Sequence, residues 1–533
     1  MQKRLKGLST MCIGLLLILV GRIGSITFIN GEEYTREAVA QRTNIELIRH
    51  ARGVIYDRNM IALTEGQSNL SVAVIPSECE DISKVERLLG KNILGNKVQV
   101  FAIPASADST ELLSIPGVVA INVSERYLQS GLLSHVIGYT SMGSVGFGIE
   151  NSMDEYLNVD QTEGIATFTD AQSGTIAGLG TKFLGESTLK GVQLTVDYHI
   201  QEVCENVLKT TETIGAVVLL DAKTGNILAM ASAPKFTQNN LEEHLRSNGT
   251  ELVNRATANY DIGSVFKIIV TAAALEDGYA TAGTNFTCNG TVLYNDKEFT
   301  CNALDGHGTL TLEQGFAHSC NVVFYELGQR IGAESLMDMA RKFGLSQTVL
   351  SGEIEEQGGN IPCGDNVTGG QLANLSIGQG DIQVTPLQIT RVIDIILNKG
   401  KVRNINLVSG IVEEDGRTLT DFVNAAEGEK MQENVISENT AKIIQQMMCK
   451  TVEFGTGRGI DIPNWGAGGK TGSAETGWIN ADGETMTHGW FAGFFPEENP
   501  RYICVVLSED GKQGATSSAP IFAYIGKGIQ ELE

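Results

Sequence analysis

The sequence predicts an α+β protein, and three patterns carry that reading. Apolar β-type runs at Gly215 to Leu220 and Asn226 to Ala231 are joined by Asp221-Ala222-Lys223-Thr224-Gly225, a hairpin turn. A second strand pair, Gly489 to Phe495 and Tyr502 to Leu507, lies near the C-terminus. Between the pairs run helical stretches such as Ser264 to Leu275 and Leu312 to Ile331. Strands drawn from both ends of one segment, with helices between them, build a sheet packed by helices.

A chain of 533 residues is too long for one ordinary core, so more than one domain is expected. A 42% hydrophobic content is that of an ordinary globular protein. The net charge of −24 excludes a nucleic-acid partner, because neutralising phosphates needs clustered Lys and Arg.

The N-terminus carries the first specific signal. Lys3, Arg4 and Lys6 precede an apolar run over 8–29, interrupted only at Gly21-Arg22. That run is close to the roughly 20 residues a spanning helix requires. Arg22 lies near its outer end, where a long side chain snorkels to the interface. The basic flank places 1–7 in the cytoplasm and the rest of the chain outside. A cleaved signal peptide would end at a small-residue site, and Gly21-Arg22-Ile23 is a poor one, so an uncleaved anchor is expected.

Residues 30–190 read as structural. They hold the strand-like Gly53-Val54-Ile55-Tyr56, the alternating Asn69 to Val74 and the glycine-rich Gly138 to Gly148. Neither a metal-ligand cluster nor a phosphate loop is visible in them. Residues 191–533 form the second region, where Gln193 to Val196 reads as a strand and Ile200 to Leu208 as a helix.

Nine cysteines leave no full disulfide set. Cys288 and Cys301 flank a segment with a turn-like Asn295-Asp296, which suits a disulfide-closed hairpin outside the membrane. Two free thiols are the alternative, and the better one in an organism living without oxygen. The seven histidines are scattered without ligand spacing, so no metal and no other cofactor is expected.

Three short patterns carry the chemistry: Ser-x-x-Lys, Ser-x-Asn and Lys-Thr-Gly. Each is weak alone, and the chain holds decoys for all three. Ser-x-x-Lys occurs at Ser187/Lys190, Ser232/Lys235 and Ser264/Lys267. Only Ser264 opens a long apolar helix, where a lysine three residues on shares the serine's face. The helix N-terminus favours the negative charge of acylation. A lysine buried there loses basicity, as a base for a serine hydroxyl must. Ser-x-Asn occurs at Ser319/Asn321, inside an apolar segment, and at Ser437/Asn439, where a helix cap is the ordinary explanation. Lys-Thr-Gly occurs at Lys223, in the hairpin turn, and at Lys470-Thr471-Gly472-Ser473, where small residues on both sides suit a substrate backbone lying against a strand.

With Ser264, Ser319 and Lys470 in this order and context, the chain resembles class B penicillin-binding proteins. Further segments carry the resemblance: Arg52 to Asn59, Gly146-Phe147-Gly148-Ile149-Glu150, Asp221 to Ser232, Ile377-Gly378-Gln379-Gly380, Thr385-Pro386-Leu387-Gln388 and Gly455-Thr456-Gly457. It implies a penicillin-binding and serine β-lactamase-like transpeptidase domain over 191–533, behind a pedestal or dimerisation domain over 30–190. Ser264 would attack the D-Ala-D-Ala carbonyl of a peptidoglycan stem peptide, with Lys267 taking its proton. Ser319 and Lys470 would pass a proton to the leaving amine, and Asn321 would hold the substrate amide. Thr471, Gly472 and Ser473 would bind the terminal carboxylate side, and backbone N–H groups of Ser264 and Ser473 would form the oxyanion hole. β-Lactams would acylate the same serine. The resemblance also implies a SED-type membrane glycosyltransferase as partner, and no module of the kind some members carry after the catalytic domain is expected from this sequence. Ile262 and Val265 depart from the family's common Pro and Thr, and Ser473 replaces a common Thr while keeping the hydroxyl.

The same motifs serve D,D-carboxypeptidases and β-lactamases. The anchor and pedestal favour the transpeptidase, since a secreted β-lactamase needs neither. A β-lactam sensor would pair with a membrane protease, and no His-Glu-x-x-His is present. A mainly structural role in a cell-wall synthesis complex is the remaining alternative.

Overall fold

A computed structural model describes the chain except residues 1, 30–42, 77, 96–97, 105–106, 142–143, 169–180, 185–189, 248, 295–296, 365–366, 368, 414–415, 424–432, 480–482 and 512. Two compact units result, one of Met1–Arg52, Gln67–Glu125 and Asn158–Thr188, the other of Gly53–Gly66, Arg126–Leu157 and Leu189–Glu533.

Helix α1 (Gln2–Gly24) belongs to the first unit and, with the π-helical turn Ser25–Ile29 that follows it, carries the stretch Lys6–Thr27, long and apolar enough to cross a membrane. The apolar side chains described along it are exposed. The expected alternation at Asn69 to Val74 falls in strand Thr64–Val74. Val72 and Val74 pack there with Val85 and Leu89 of an Asp81-capped helix, Ile82–Leu89.

The single boundary at residue 190 is not how the chain divides, because two earlier segments pack with the second unit. Ile55 and Tyr56 pair in parallel with Val192 and Gln193. Arg126 donates to the Gly53 carbonyl at 2.7 Å and pairs with the buried Glu150 at 2.7 Å. The Arg52-Gly53 and Gly148-Ile149-Glu150 motifs are thereby tied together by one guanidinium.

Five antiparallel strands form the centre of the second unit. They are β1 (Gly215–Asp221), β2 (Ile227–Ala233), β3 (Gly468–Ile479), β4 (Thr485–Phe495) and β5 (Tyr502–Ser508), in spatial order β2-β1-β5-β4-β3. The expected turn is present, with the Asp221 carboxylate accepting from the N–H groups of Lys223 and Thr224 at 2.8 and 2.9 Å. Alternation along the strands loads both faces of the sheet. Val217, Leu219, Cys504 and Val506 meet helices α2 (Tyr198–Thr210) and, at the C-terminus, Ser518–Leu532. Val218, Leu220, Ile503 and Val505 meet a larger core built on α3 (Lys267–Glu276), which is buried from Lys267 through Ala274.

The stretch Leu312 to Ile331, expected as one helix, is two. Helix Leu312–Ala317 ends and α4 (Asn321–Ile331) begins after His318-Ser319-Cys320. Ser319 has a left-handed φ of 55°, which an α-helix cannot continue through.

The Thr385-Pro386-Leu387-Gln388 segment has a local physical origin: it is a capping box. The buried Thr385 hydroxyl accepts from Gln388 N at 3.0 Å and Gln388 Oε1 accepts from Thr385 N at 2.9 Å, with proline in the first turn of helix Pro386–Leu397. Gln388 Nε2 also donates to the Gln347 and Gly358 carbonyls at 2.8 and 2.9 Å. Thr385→Ala should lower stability by about 1–2 kcal/mol, the usual cost of a lost cap. Gln388→Ala should cost more, because two further carbonyls lose their donor; urea denaturation of both variants checks the order.

Candidate active site

Ser264 lies on a single 3-10 turn, Gly263–Phe266, which feeds directly into α3. Two glycines clamp this turn. Gly263 has φ 56° and donates its N–H to the Gly378 carbonyl at 2.9 Å. A β-carbon on Gly263 would lie 2.4 Å from the Ser473 carbonyl oxygen, and one on Gly378 (φ 77°) 1.9 Å from the Gly263 carbonyl oxygen. Only bare backbone lets the serine turn fit between the Gly378 loop and strand β3. Gln379 Nε2 donates to the Ser473 carbonyl at 3.4 Å, joining the same two segments.

Lys267 Nζ donates to Ser319 O at 2.8 Å, Ser319 Oγ at 3.2 Å and Asn321 Oδ1 at 2.7 Å. Lys470, on β3, donates to Ser319 Oγ at 3.0 Å and to the Thr471 carbonyl at 2.9 Å. Both lysines are fully buried, each near an aromatic face: Phe324 lies 5.2 Å from Lys267 Nζ and Phe316 5.8 Å from Lys470 Nζ. Burial pulls Lys267 down to about 7, against an opposing pull from the Cys320 and Cys301 thiols. Burial, and then the Lys267 charge, hold Lys470 well below the usual lysine range. Ser319 Oγ accepts from both ammonium groups, which uses its two lone pairs and leaves its own O–H to donate elsewhere. The strained φ of Ser319 holds it there, a cost of order 1 kcal/mol for a non-glycine residue.

Thr471 Oγ1 lies 2.6 Å from Thr456 Oγ1, and Thr456 N donates to the Ala317 carbonyl at 3.0 Å. Ser473 Oγ accepts from Gly514 N at 3.2 Å. Gly472 is packed against Val265 and Trp490, with no room for a side chain. The structure thus brings Lys267, Ser319, Asn321 and Lys470 into one hydrogen-bonded group, while the turn that carries Ser264 packs against Ser473 through Gly263.

The decoys lie elsewhere. Ser232 is buried in β2, where it accepts from Arg255 N and donates to the Val253 carbonyl. Ser437 caps helix Glu438–Glu453, and Lys223 stays in its turn. Ser187 lies outside the described residues.

Of the two readings open for Cys288 and Cys301, the structure has the free thiols and not the disulfide. The hairpin forms, with strands Thr291–Tyr294 and Lys297–Thr300, although its expected turn at Asn295-Asp296 lies outside the described residues. It carries Cys301 onto two other groups instead: Cys320 at 3.8 Å between sulfurs and His307 Nδ1 at 3.6 Å. With Cys288 these donor atoms all lie within 4.8 Å of one another. Tertiary proximity thus brings together four donors whose irregular spacing gave no ligand pattern in the sequence. The hydrogen bond shared by the two thiols lowers Cys301 and raises Cys320, so the pair favours holding one proton between them.

The family described as penicillin binding protein transpeptidase domain matches residues 215–527, which contain every one of these motif residues. The chain belongs to the penicillin-binding transpeptidase family. Similarity extends beyond that domain. The chain is 27% identical to stage V sporulation protein D of Bacillus subtilis, over 96% of this chain and 82% of that one. It is 26% identical to the peptidoglycan D,D-transpeptidase MrdA of Acinetobacter baumannii, over 97% and 86%. A chain of a peptidoglycan synthase complex that coordinates polymerization and crosslinking shares the fold at TM-score 0.74 and 24% identity, over 99% of both chains. Membership with whole-length relatives matches the class B resemblance and its α+β fold.

Lys267 also couples stability to pH. Below about pH 7 the lysine is charged in both folded and unfolded chains, so the folded state bears the whole cost of burying it. Between about 7 and the ordinary value of 10.5 the unfolded chain alone keeps the proton, so this group's contribution to stability rises with pH across that window. Lys267→Met should flatten the rise, measured as urea midpoints from pH 6.5 to 9.

Proposed function

We propose that the protein is a peptidoglycan D,D-transpeptidase working through a Ser264 acyl-enzyme. The observation that carries this reading is the convergence of two depressed lysines on Ser319, beside the glycine-clamped turn that presents Ser264. Near neutral pH a large share of Lys267 is uncharged. An amine has two hydrogens where the ammonium has three, so one of its three contacts gives way and a lone pair becomes free for the Ser264 proton. Ser264 Oγ then bonds to the carbonyl carbon of the donor peptide's terminal D-Ala-D-Ala linkage. The developing oxyanion is met by the N–H groups of Ser264 and Ser473, each such donor contributing roughly 3 kcal/mol in comparable sites.

Collapse breaks the C–N bond. The departing D-Ala amine takes the Ser319 hydroxyl proton, which Lys470 or Lys267 replaces. The ester on Ser264 is then attacked by an amine from a neighbouring stem, which forms the cross-link and returns the serine hydroxyl. Asn321 holds the substrate amide, and Thr471 and Ser473 hold its carboxylate. A β-lactam enters the same path and stops at the ester. The first unit is a pedestal, α1 anchors the chain with its N-terminus in the cytoplasm, and a SED-type polymerase supplies the glycan strands.

Intact mass and peptide mapping after incubation with a labelled penicillin should find one adduct on Ser264, absent in Ser264→Ala. Rapid loss of that adduct would instead indicate a β-lactamase, and its absence from folded wild-type protein would leave the scaffold reading. The acylation rate should rise as pH increases through about 7, following the neutral fraction of Lys267. Lys267→Ala should slow acylation by roughly 100-fold or more, the usual loss with a general base.

A further inference from the structure

We propose that Cys288, Cys301, His307 and Cys320 form a tetrahedral zinc site that orders the Ser319-Cys320-Asn321 segment of the active site. Each donor is set by a different piece of structure. Cys288 ends strand Asn285–Cys288, which pairs with Gly308–Thr311 immediately after His307. Cys301 follows the neighbouring hairpin and is tied back by its N–H to the Gly290 carbonyl at 2.8 Å. Cys320 sits between Ser319 and Asn321, its N–H held by the Gly315 carbonyl at 2.9 Å. The three cysteines are buried and the histidine only partly so, which leaves a route for an ion.

The distances fit the ion. Tetrahedral zinc bonds of about 2.3 Å to sulfur and about 2.0 Å to nitrogen place neighbouring sulfurs about 3.8 Å apart and a sulfur and nitrogen about 3.5 Å apart. The Cys301–Cys320 sulfur separation is 3.8 Å and Cys301 Sγ lies 3.6 Å from His307 Nδ1. Three thiolates and an imidazole are soft donors that suit zinc and disfavour magnesium or calcium. A Cys301–Cys320 disulfide, by contrast, would need its sulfurs to close to about 2.05 Å and would leave Cys288 and His307 without a role. Each coordinating thiol releases its proton to solvent on binding. The residues on both sides of Cys320 accept from Lys267, so a metal–Cys320 bond would act on the catalytic lysine's acceptors through one residue. That coupling, unlike the site itself, rests on the transpeptidase reading.

The test uses the full chain in detergent, purified under reducing conditions without chelator. Elemental analysis should find about one zinc per chain, and cobalt(II) exchanged into the site should show thiolate charge-transfer absorption of a tetrahedral centre. His307→Ala should weaken zinc binding by tenfold or more, whereas His307→Cys, which keeps a donor there, should retain the metal. Stripping zinc should slow penicillin acylation of Ser264 about tenfold or more, as when supporting groups around a reactive site are lost, and zinc should restore it. Protein that takes up neither zinc nor cobalt with its thiols reduced overturns the site, as does iron as the resident metal or zinc retained unchanged in His307→Ala. Zinc-loaded protein whose acylation ignores stripping overturns the coupling. Zinc-loaded protein that penicillin never acylates leaves the site standing and removes the transpeptidase reading.

Discussion

The Ser319 hydroxyl, accepting at once from two buried ammonium groups, is the contact on which the rest of the site depends. Burying a lysine is costly unless every proton finds an acceptor, and here one serine supplies acceptors to two lysines from elements far apart in sequence. Lys267 starts the helix that crosses the core, and Lys470 lies on the edge strand. Satisfying both locks helix, strand and the Ser319 turn into one arrangement. The same shortage of solvent that makes the lysines expensive makes their ammonium groups readier to give up a proton, which leaves a neutral amine available as a base near neutral pH, as acyl transfer requires.

Strain and close approach support that contact. A left-handed Ser319 separates two helices, which turns Ser319 and Asn321 toward the same lysine. The Gly263 and Gly378 positions bring three backbone segments together where a single β-carbon would force them apart. Polar caps fix the surrounding helices, so segments that look like arbitrary family signatures in the sequence have ordinary physical duties. Thr385 to Gln388 ends a loop and starts a helix, and Thr456 ties the segment after Glu438–Glu453 to Thr471.

Much of the fold was legible because it rests on local pattern. The two strand pairs, the Asp221 hairpin turn and the apolar N-terminal helix depend on apolar runs and local turn chemistry. The contexts of Ser232, Ser437 and Lys223 were also legible locally, since these decoys sit in a strand, a cap and a turn with their own explanations. The helix break at His318-Ser319-Cys320 was not legible, because the apolar run continues across it and the interruption is accompanied by tertiary hydrogen bonds from lysines. The domain division was missed for a similar reason: Gly53–Gly66 and Arg126–Leu157 join the second unit through pairing with Lys190–Leu194 and through Arg126.

By itself, then, the sequence determined the order of motifs, the chemistry each side chain can perform and the apolar periodicities that build sheet and helices. These are properties of composition and short spacing, and no partner at a distance is needed to read them. Tertiary structure alone decided which groups meet. Lys267 and Lys470 converge on one hydroxyl, and Cys301 gathers with Cys320 and His307 as well as Cys288. Such encounters depend on how strands and hairpins pack in three dimensions, where a donor's position along the chain says little about its distance from another.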